Sequence, residues 1–202
     1  MSNLKKSPGK VFREFLGTKK PLQLVGTINA LAAMMAENIG FKAIYLSGAG
    51  VANASYGLPD LGITTLDNVA EDAKRITHAV DLPLIVDIDT GYGGVALTIT
   101  RTIKTLEKTG VAGIHIEDQE VFKRCGHRPN KVVVSPEEMC DRLKTAIDAR
   151  IDQDFFVIAR TDAFAMEGME GVIQRAKKYE SVGADAIFPD ALTSLEQYKI
   201  LS

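Results

Sequence analysis

Two aspartates, Asp87 and Asp89, stand two residues apart at the end of an apolar run, residues 83–89. On a strand, side chains at i and i+2 point to one face, so this spacing aims both carboxylates to the side that Ile85 takes. Converging carboxylates are costly without a counter-charge. A hard divalent ion such as Mg2+ removes that cost, because it accepts one or two carboxylates and completes its shell with water and substrate oxygens. The alternative is a strand that runs out into a polar loop. The next run, 112–118, ends in Glu117 and Asp118. Glu117 shares a face with His115, and Ile114 and Ile116 lie opposite. Two roles are open to Glu117: binding the metal directly or through its waters, or closing a salt bridge at a strand terminus. His115 has no Cys or His nearby and reads as a hydrogen-bonded interior residue.

Arg160 ends a third run on the face of Phe156 and Ile158, where a planar guanidinium suits a carboxylate clamp or a salt bridge to an aspartate. Asp190 ends another run. Ser47, Gly48, Ala49 and Gly50 form a small-residue turn that either lets backbone N–H groups approach an anion or is a plain tight turn. Asp60 lies in Leu58-Pro59-Asp60-Leu61-Gly62, a loop long enough to fold over a site. Cys125 sits in Lys123-Arg124-Cys125-Gly126-His127-Arg128, which is no core context for a thiol. Positive neighbours make a thiol reactive or a competent proton donor and attract anionic substrates; a solvated basic loop is the other reading. Cys140, beside a helical apolar stripe, reads as a small core residue. These parts fit a small polycarboxylate held through one metal, and carbon–carbon bond chemistry next to a carboxylate. They include no Ser-His-Asp set, nicotinamide or flavin signature, or zinc cluster. Gly91-Tyr92-Gly93-Gly94 is too weak a glycine signal for a dinucleotide loop.

The positioning elements follow from periodicity. Six short apolar runs (22–26, 43–47, 83–89, 112–118, 155–162 and 184–190) alternate with helical stripes. Those stripes are Val69-Ala73-Ile76-Val80, Ile99-Ile103-Leu106 before Gly110, Met139-Leu143-Ile147, and Met169-Ile173-Ala176 before Gly183, with one more helix over 192–201. Ser135, Pro136 and Glu138 form a capping box with Pro at the first helical position. Strands alternating with helices imply parallel βαβ units in an α/β fold. A doubly wound sheet gathers its site at one switch point, whereas a barrel collects residues from many strand ends. Polar groups end five of these strands, which favours a (β/α)8 TIM-barrel type with its first six βα units present, in one domain over 1–202. Such a barrel needs about 250 residues, so the chain reads as short of it at the C-terminal side.

Composition sets the outer bounds. With 24 Lys plus Arg against 26 Asp plus Glu in 202 residues, there is no basic excess for a nucleic-acid backbone. No apolar stretch approaches the roughly 18 residues of a membrane span, and the first residues carry lysines without an apolar h-region. Two cysteines make no disulfide framework. The expectation is a cytoplasmic protein with a small-molecule substrate and neither nucleic acid nor membrane as partner.

Lys123-Arg124-Cys125-Gly126-His127, followed by Arg128-Pro129-Asn130-Lys131, closely resembles the signature of the methylisocitrate lyases in the isocitrate lyase and phosphoenolpyruvate mutase superfamily. Gly26-Thr27-Ile28-Asn29-Ala30, Tyr45 to Gly50, Gly57 to Gly62, Val86 to Gly91, His115 to Gln119 and Ala159 to Ala163 match in order, so the resemblance spans essentially the whole chain. It implies a Mg2+-assisted retro-aldol cleavage of 2-methylisocitrate to pyruvate and succinate, a step of propionate catabolism, and a homotetramer for the full-length family. By position, Asp87 and Asp89 would hold Mg2+, with Asp60 and Glu117 acting through water. Ser47, Gly48 and Ala49 would bind the pyruvate part, with Gly126, His127 and Asp190 also at the substrate. Arg160 would bind a substrate carboxylate or oxygen, and Cys125, on a gating loop, would protonate the succinate carbanion. Two departures stand out. Asp190 replaces the usual glutamate, which sets its carboxylate back by about 1.5 Å, a displacement that can cost about 100-fold. Strands seven and eight and the helix exchanged between subunits are not in this sequence, so the 202-residue form is expected to turn over slowly. The alternatives are isocitrate lyase or oxaloacetate decarboxylase activity, or a shortened non-catalytic paralogue.

Overall fold

The computed structural model describes residues 6–126 and 128–201. In chain order the elements are α1 (Pro8–Thr18), β1 (Leu24–Gly26), α2 (Ala30–Ile39), β2 (Ala43–Leu46), α3 (Gly48–Gly50) running into a π-helical turn (Val51–Ser55), α4 (Leu66–Ala79), β3 (Leu84–Asp87), α5 (Ala96–Glu107), β4 (Gly113–Glu117), α6 (Pro136–Asp148), β5 (Phe156–Thr161), α7 (Phe164–Ser181), β6 (Ala186–Pro189) and α8 (Leu195–Leu201). The six strands are parallel and follow one another in the order β1-β2-β3-β4-β5-β6. The order never reverses, so there is no switch point; this is the curled sheet of a (β/α)8 barrel carrying six units, open at β1 and β6.

Each strand divides its residues between two cores. Leu84 and Val86, Ile114 and Ile116, and Val157 and Ala159 face outward onto the helices, against Val69, Ala73 and Ile76 of α4, Ile99, Ile103 and Leu106 of α5, and Met139 and Leu143 of α6. Ala43, Ile85 and Phe156 face inward and form the second core with Phe12 of α1 and with Ala112, which just precedes β4. Because the period is 2, the same alternation carries Asp87, His115, Glu117 and Arg160 inward at the opposite end of the strands.

Helix α1 went unrecognised among the basic residues at the start. Ser7 caps it by accepting from the Lys10 N–H at 3.3 Å. Phe12 meets Phe156 edge-on with centroids 5.0 Å apart. Arg13 donates through Nε to the Asp154 carbonyl at 3.0 Å and through Nη2 to Asp185 at 2.8 Å. A methyl group at Gly9 would lie 2.3 Å from the Asp154 oxygen, so glycine lets α1 close the barrel floor.

Four local expectations are corrected. The run 83–89 stops being strand at Asp87, and the turn at Ser47 is helical. Ser135 caps α6 by accepting from the Glu138 N–H at 3.1 Å, but the reciprocal half of the box is replaced by Arg142 Nη2 on Glu138 at 2.7 Å. In α7 the buried face is Val172, Arg175 and Tyr179, while Ile173 and Ala176 are half-buried. A charged residue hides that face from a hydrophobicity pattern, because the buried Arg175 is satisfied by Glu167, Asp118 and the Val134 carbonyl.

Phe12→Ala is expected to lower unfolding stability by about 3 to 5 kcal/mol, the range for emptying a buried aromatic site. Urea denaturation measures this, and a loss below about 1 kcal/mol would contradict the floor-sealing role of α1.

Candidate active site

Neighbouring strands place the inward polar groups side by side. Register pairs Asp87 with His115 and Glu117 with Arg160. The Tyr45 hydroxyl lies 2.8 Å from His115 Nε2, and the His115 ring meets Phe188 edge-on at 5.4 Å. His115 is fully buried, and burial lowers its pKa to about 4 against the opposing pull of Asp87. It is a neutral interior residue at pH 7.

Asp87 and Asp89 converge, though not as two residues of one strand. Asp89 has φ 49°, in the left-handed region, just past the end of β3. Its N–H donates to Asp87 Oδ1 at 3.0 Å, and Gly48 N–H donates to Asp87 Oδ2 at 3.1 Å. A Cβ at Gly48 would lie 3.2 Å from Asp87 Oδ2 and 3.3 Å from Asp89 Oδ1, so both carboxylates crowd the backbone at the start of α3. The N–H that the small-residue turn offers therefore meets an anion of the chain itself. Ser47 accepts from the Gly50 N–H at 3.4 Å, and Ala49 lies in the same turn. Burial raises Asp87, but His115, Arg160, Lys123 and the Asp89 N–H outweigh it and hold its pKa near 2. Burial and the Asp87 charge push Asp89 up to about 6, with Lys123 opposing. One carboxylate of the pair ionises readily and its neighbour resists.

Lys123 supplies the missing charge. Its Nζ is 2.7 Å from Asp89 Oδ1 and pairs with Asp60. Of the basic run, Lys123 is thus buried against carboxylates, while Arg124 and Arg128 face solvent. On the other side, Arg160 Nε and Nη2 reach Asp162 at 2.9 and 3.1 Å, Nε lies 3.4 Å from Glu117, and Nη2 lies 3.2 Å from Asp190. The guanidinium also sits 5.4 Å over the Phe188 ring. Asp190 reaches it directly, so the shorter side chain needs no bridging water to meet the arginine. Burial holds the Glu117 carboxyl well above its ordinary pKa despite Arg160.

The Cys125 segment is an excursion between β4 and α6, closed at its base by the antiparallel bridge Gln119–Val133. The Gln119 side chain donates to the Arg124 carbonyl at 2.9 Å and accepts its N–H at 3.0 Å. Gly126 is buried so tightly that a Cβ would stand 1.7 Å from Asp190 Oδ2 and 2.5 Å from Arg160 Nη2. Cys125 lines a cavity of about 270 Å³ with Ala49, Asn53, Pro59, Asp60 and Arg128. His127 lies outside the described residues. Sequence reasoning missed Gln119, Lys123, Lys131 and Asp162; their signal was membership of the same matched stretches, in which the cysteine, the arginine and the strand-end acids drew the attention. Cys140 is half-buried against the outer core, as expected.

The donor set fits a cation. Asp60, Asp87, Asp89, Glu117, Asp162 and Asp190 outnumber the cations Lys123, Lys131 and Arg160, and Glu117 Oε1 is buried with no hydrogen-bond partner. Among the described residues, the cation paired with Asp89 is Lys123, which it shares with Asp60. Among the described residues, no three Cys, His, Asp or Glu side chains are already drawn together in ligating geometry, so a cation here would rely on water and substrate oxygens.

His115 gives the site a pH signature. Its folded pKa lies below the unfolded value, so its contribution is present above about pH 6.5 and is lost as pH falls towards about 4. Between pH 7 and pH 5 the folded chain is expected to lose roughly 2 kcal/mol through this group. Urea unfolding at the two pH values, with His115→Gln alongside, tests this: the variant should flatten the acid limb, and an unchanged limb would contradict it.

Comparison with known proteins agrees with the fold. The chain is 61% identical over 196 residues to the 2-methylisocitrate lyase of Vibrio cholerae serotype O1 (strain ATCC 39315 / El Tor Inaba N16961), an alignment covering 97% of this chain and 63% of that protein. The chain thus spans less than two thirds of the length of that relative. Among solved structures, oxaloacetate acetylhydrolase in complex with 3,3-difluorooxalacetate matches with a TM-score of 0.91 at 38% identity, over 96% of this chain and 67% of that one. A phosphonopyruvate hydrolase complex with oxalate and Mg2+ matches with a TM-score of 0.80 at 29% identity, over 96% and 67%. The sequence profile of the phosphoenolpyruvate phosphomutase family matches residues 12–201, and the chain belongs to that family.

Proposed function

We propose that this chain carries the site of a carbon–carbon lyase that cleaves 2-methylisocitrate to pyruvate and succinate with the help of Mg2+. The observation that carries this reading is the seating of the Cys125 loop on Arg160 and Asp190, beside two converging carboxylates. That arrangement sets Gly126, the residue next to a candidate proton donor, against an anion-binding arginine at a place suited to a cation. Supporting it are the identity to a 2-methylisocitrate lyase and the oxalate and Mg2+ held by the related phosphonopyruvate hydrolase.

Asp87 and Asp89 would hold the metal, with Asp60 and Glu117 acting through water. Bound there, Mg2+ would polarise the substrate hydroxyl and the ketone that forms from it. Ser47, Gly48 and Ala49 would line the pyruvate end. Arg160 would fix a substrate carboxylate by a planar, charge-assisted contact. As the carbon–carbon bond breaks, the hydroxyl proton leaves to a site carboxylate and Cys125 delivers its thiol proton to the carbanion of the departing succinate. Loop seating excludes water, so the carbanion meets the thiol first. The same reading includes a cytoplasmic setting and, for the full-length family, a homo-oligomer. Leu31, Met34, Met35 and Ile39 leave an exposed apolar face on α2 that suits further protein contact.

Release of the 2-oxo acid, pyruvate from 2-methylisocitrate or oxaloacetate and glyoxylate from isocitrate, run side by side with and without Mg2+, tests the proposal. Release is expected from 2-methylisocitrate, dependent on Mg2+, and reduced about 100-fold or more in kcat by Cys125→Ser. Preference for isocitrate or oxaloacetate, or full activity in the serine variant, would overturn it.

A further inference from the structure

Lys131 has no part in the chemistry above, yet it is buried and doubly engaged. Its Nζ donates to the carbonyl of Gly126 and lies 3.2 Å from Asp162 Oδ1. The same Asp162 carboxylate holds Arg160 by two contacts. Its own backbone is fixed in turn, because the Asp162 N–H donates to Asp118 Oδ1 at 2.9 Å, and Asp118 Oδ2 accepts from Tyr179 at 2.8 Å and Arg175 at 3.2 Å. A continuous set of charge-assisted hydrogen bonds therefore runs from α7, through the ends of β4 and β5, to the carbonyl next to Cys125.

We propose that the Lys131–Asp162 ion pair is the latch that seats the Cys125 loop on Arg160, which makes Lys131 a positioning residue for the thiol. Two features fit a latch better than general packing. The loop base is closed without Lys131, by Glu120 N–H on the Val132 carbonyl at 3.0 Å and Val134 N–H on the Asp118 carbonyl at 2.8 Å. The lysine reaches back from the returning leg to the loop's innermost residue, Gly126, which admits no Cβ. Asp162 also holds Arg160 and Lys131 with one carboxylate, so loop seating and arginine alignment share a support. A buried charge left without its partner is strongly unfavourable; when the pair parts, the loop lifts and both charges meet water. The role of the thiol as acid rests on the lyase reading; the latch does not.

Alkylation of the intact chain by iodoacetamide tests the latch. Peptide mapping follows Cys125, with Cys140 on α6 as internal reference. Lys131→Met is expected to speed alkylation of Cys125 about tenfold with the Cys140 rate unchanged. Lys131→Arg, which can meet the same partners, should stay within about twofold of the parent. Gly126→Ala is the second variant: its methyl meets the Asp190 carboxylate and the Arg160 guanidinium, so it disturbs the seat while leaving Lys131 intact and should raise the Cys125 rate alike. A Cys125 rate within about twofold of the parent in Lys131→Met, beside a faster rate in Gly126→Ala, overturns the latch. A faster Cys125 rate together with a lower kcat and unchanged KM in Lys131→Met supports latch and lyase readings together. Faster alkylation with kcat unchanged keeps the latch and counts against Cys125 as the acid.

Discussion

The Arg160 guanidinium is the charge around which the barrel mouth is assembled. It contacts Asp162, Asp190 and Glu117 and lies over Phe188, so one side chain of β5 joins groups from β4, β5 and β6. Without a buried cation there, three acids drawn from adjacent strand ends would repel one another across a poorly solvated space. Lys123 does the same for Asp60 and Asp89 on the far side. The site is therefore two cation-centred clusters joined through Glu117 and Asp87, and its remaining excess of carboxylate is what a divalent ion would neutralise.

Backbone geometry matters as much as charge. The parallel sheet alone would end each strand with side chains spread along a rim. The left-handed residue at Asp89, and the immediate start of α3 after β2, fold the rim inward so that Gly48 N–H, Asp87 and Asp89 share one small volume. Strain of this kind at single residues persists where surrounding contacts fix it. Here the ladder supplies those contacts, since the Asp89 carbonyl accepts the Glu117 N–H at 2.9 Å.

Much of this was legible in the residues. The inward set Asp87, His115, Glu117 and Arg160 follows from period-2 alternation, and the six-unit order follows from strands alternating with helical stripes. The stripes of α4 and α5 were legible too, since apolar periodicity reports burial directly. What stayed hidden involved charge where pattern reading expects apolar residues: Arg175 on the buried face of α7, Lys123 turned inward from a basic run, Lys131 beneath the loop. Each is buried because a carboxylate distant in sequence meets it, and a local window holds no trace of that partner. Helix α1 was missed for a related reason: Gly9, Phe12 and Arg13 commit it to the barrel, and their partners lie near residues 155 and 185.

That last contact has a bearing on how the chain assembles. Each strand pairs with the one made just before it, so the sheet can grow from local steps. Helix α1 is different: Arg13 and Asp185 are 172 residues apart. Closing so long a loop is entropically unfavourable until the groups that reward it exist. At ordinary rates of synthesis the helix waits roughly 10 to 30 s for its partners on β5 and β6. Through that interval Ile85, Ala112 and Phe12 lack their full cover. Helix α1 is made well before β5 and β6 and is seated only once they exist, and until then the barrel floor stays open.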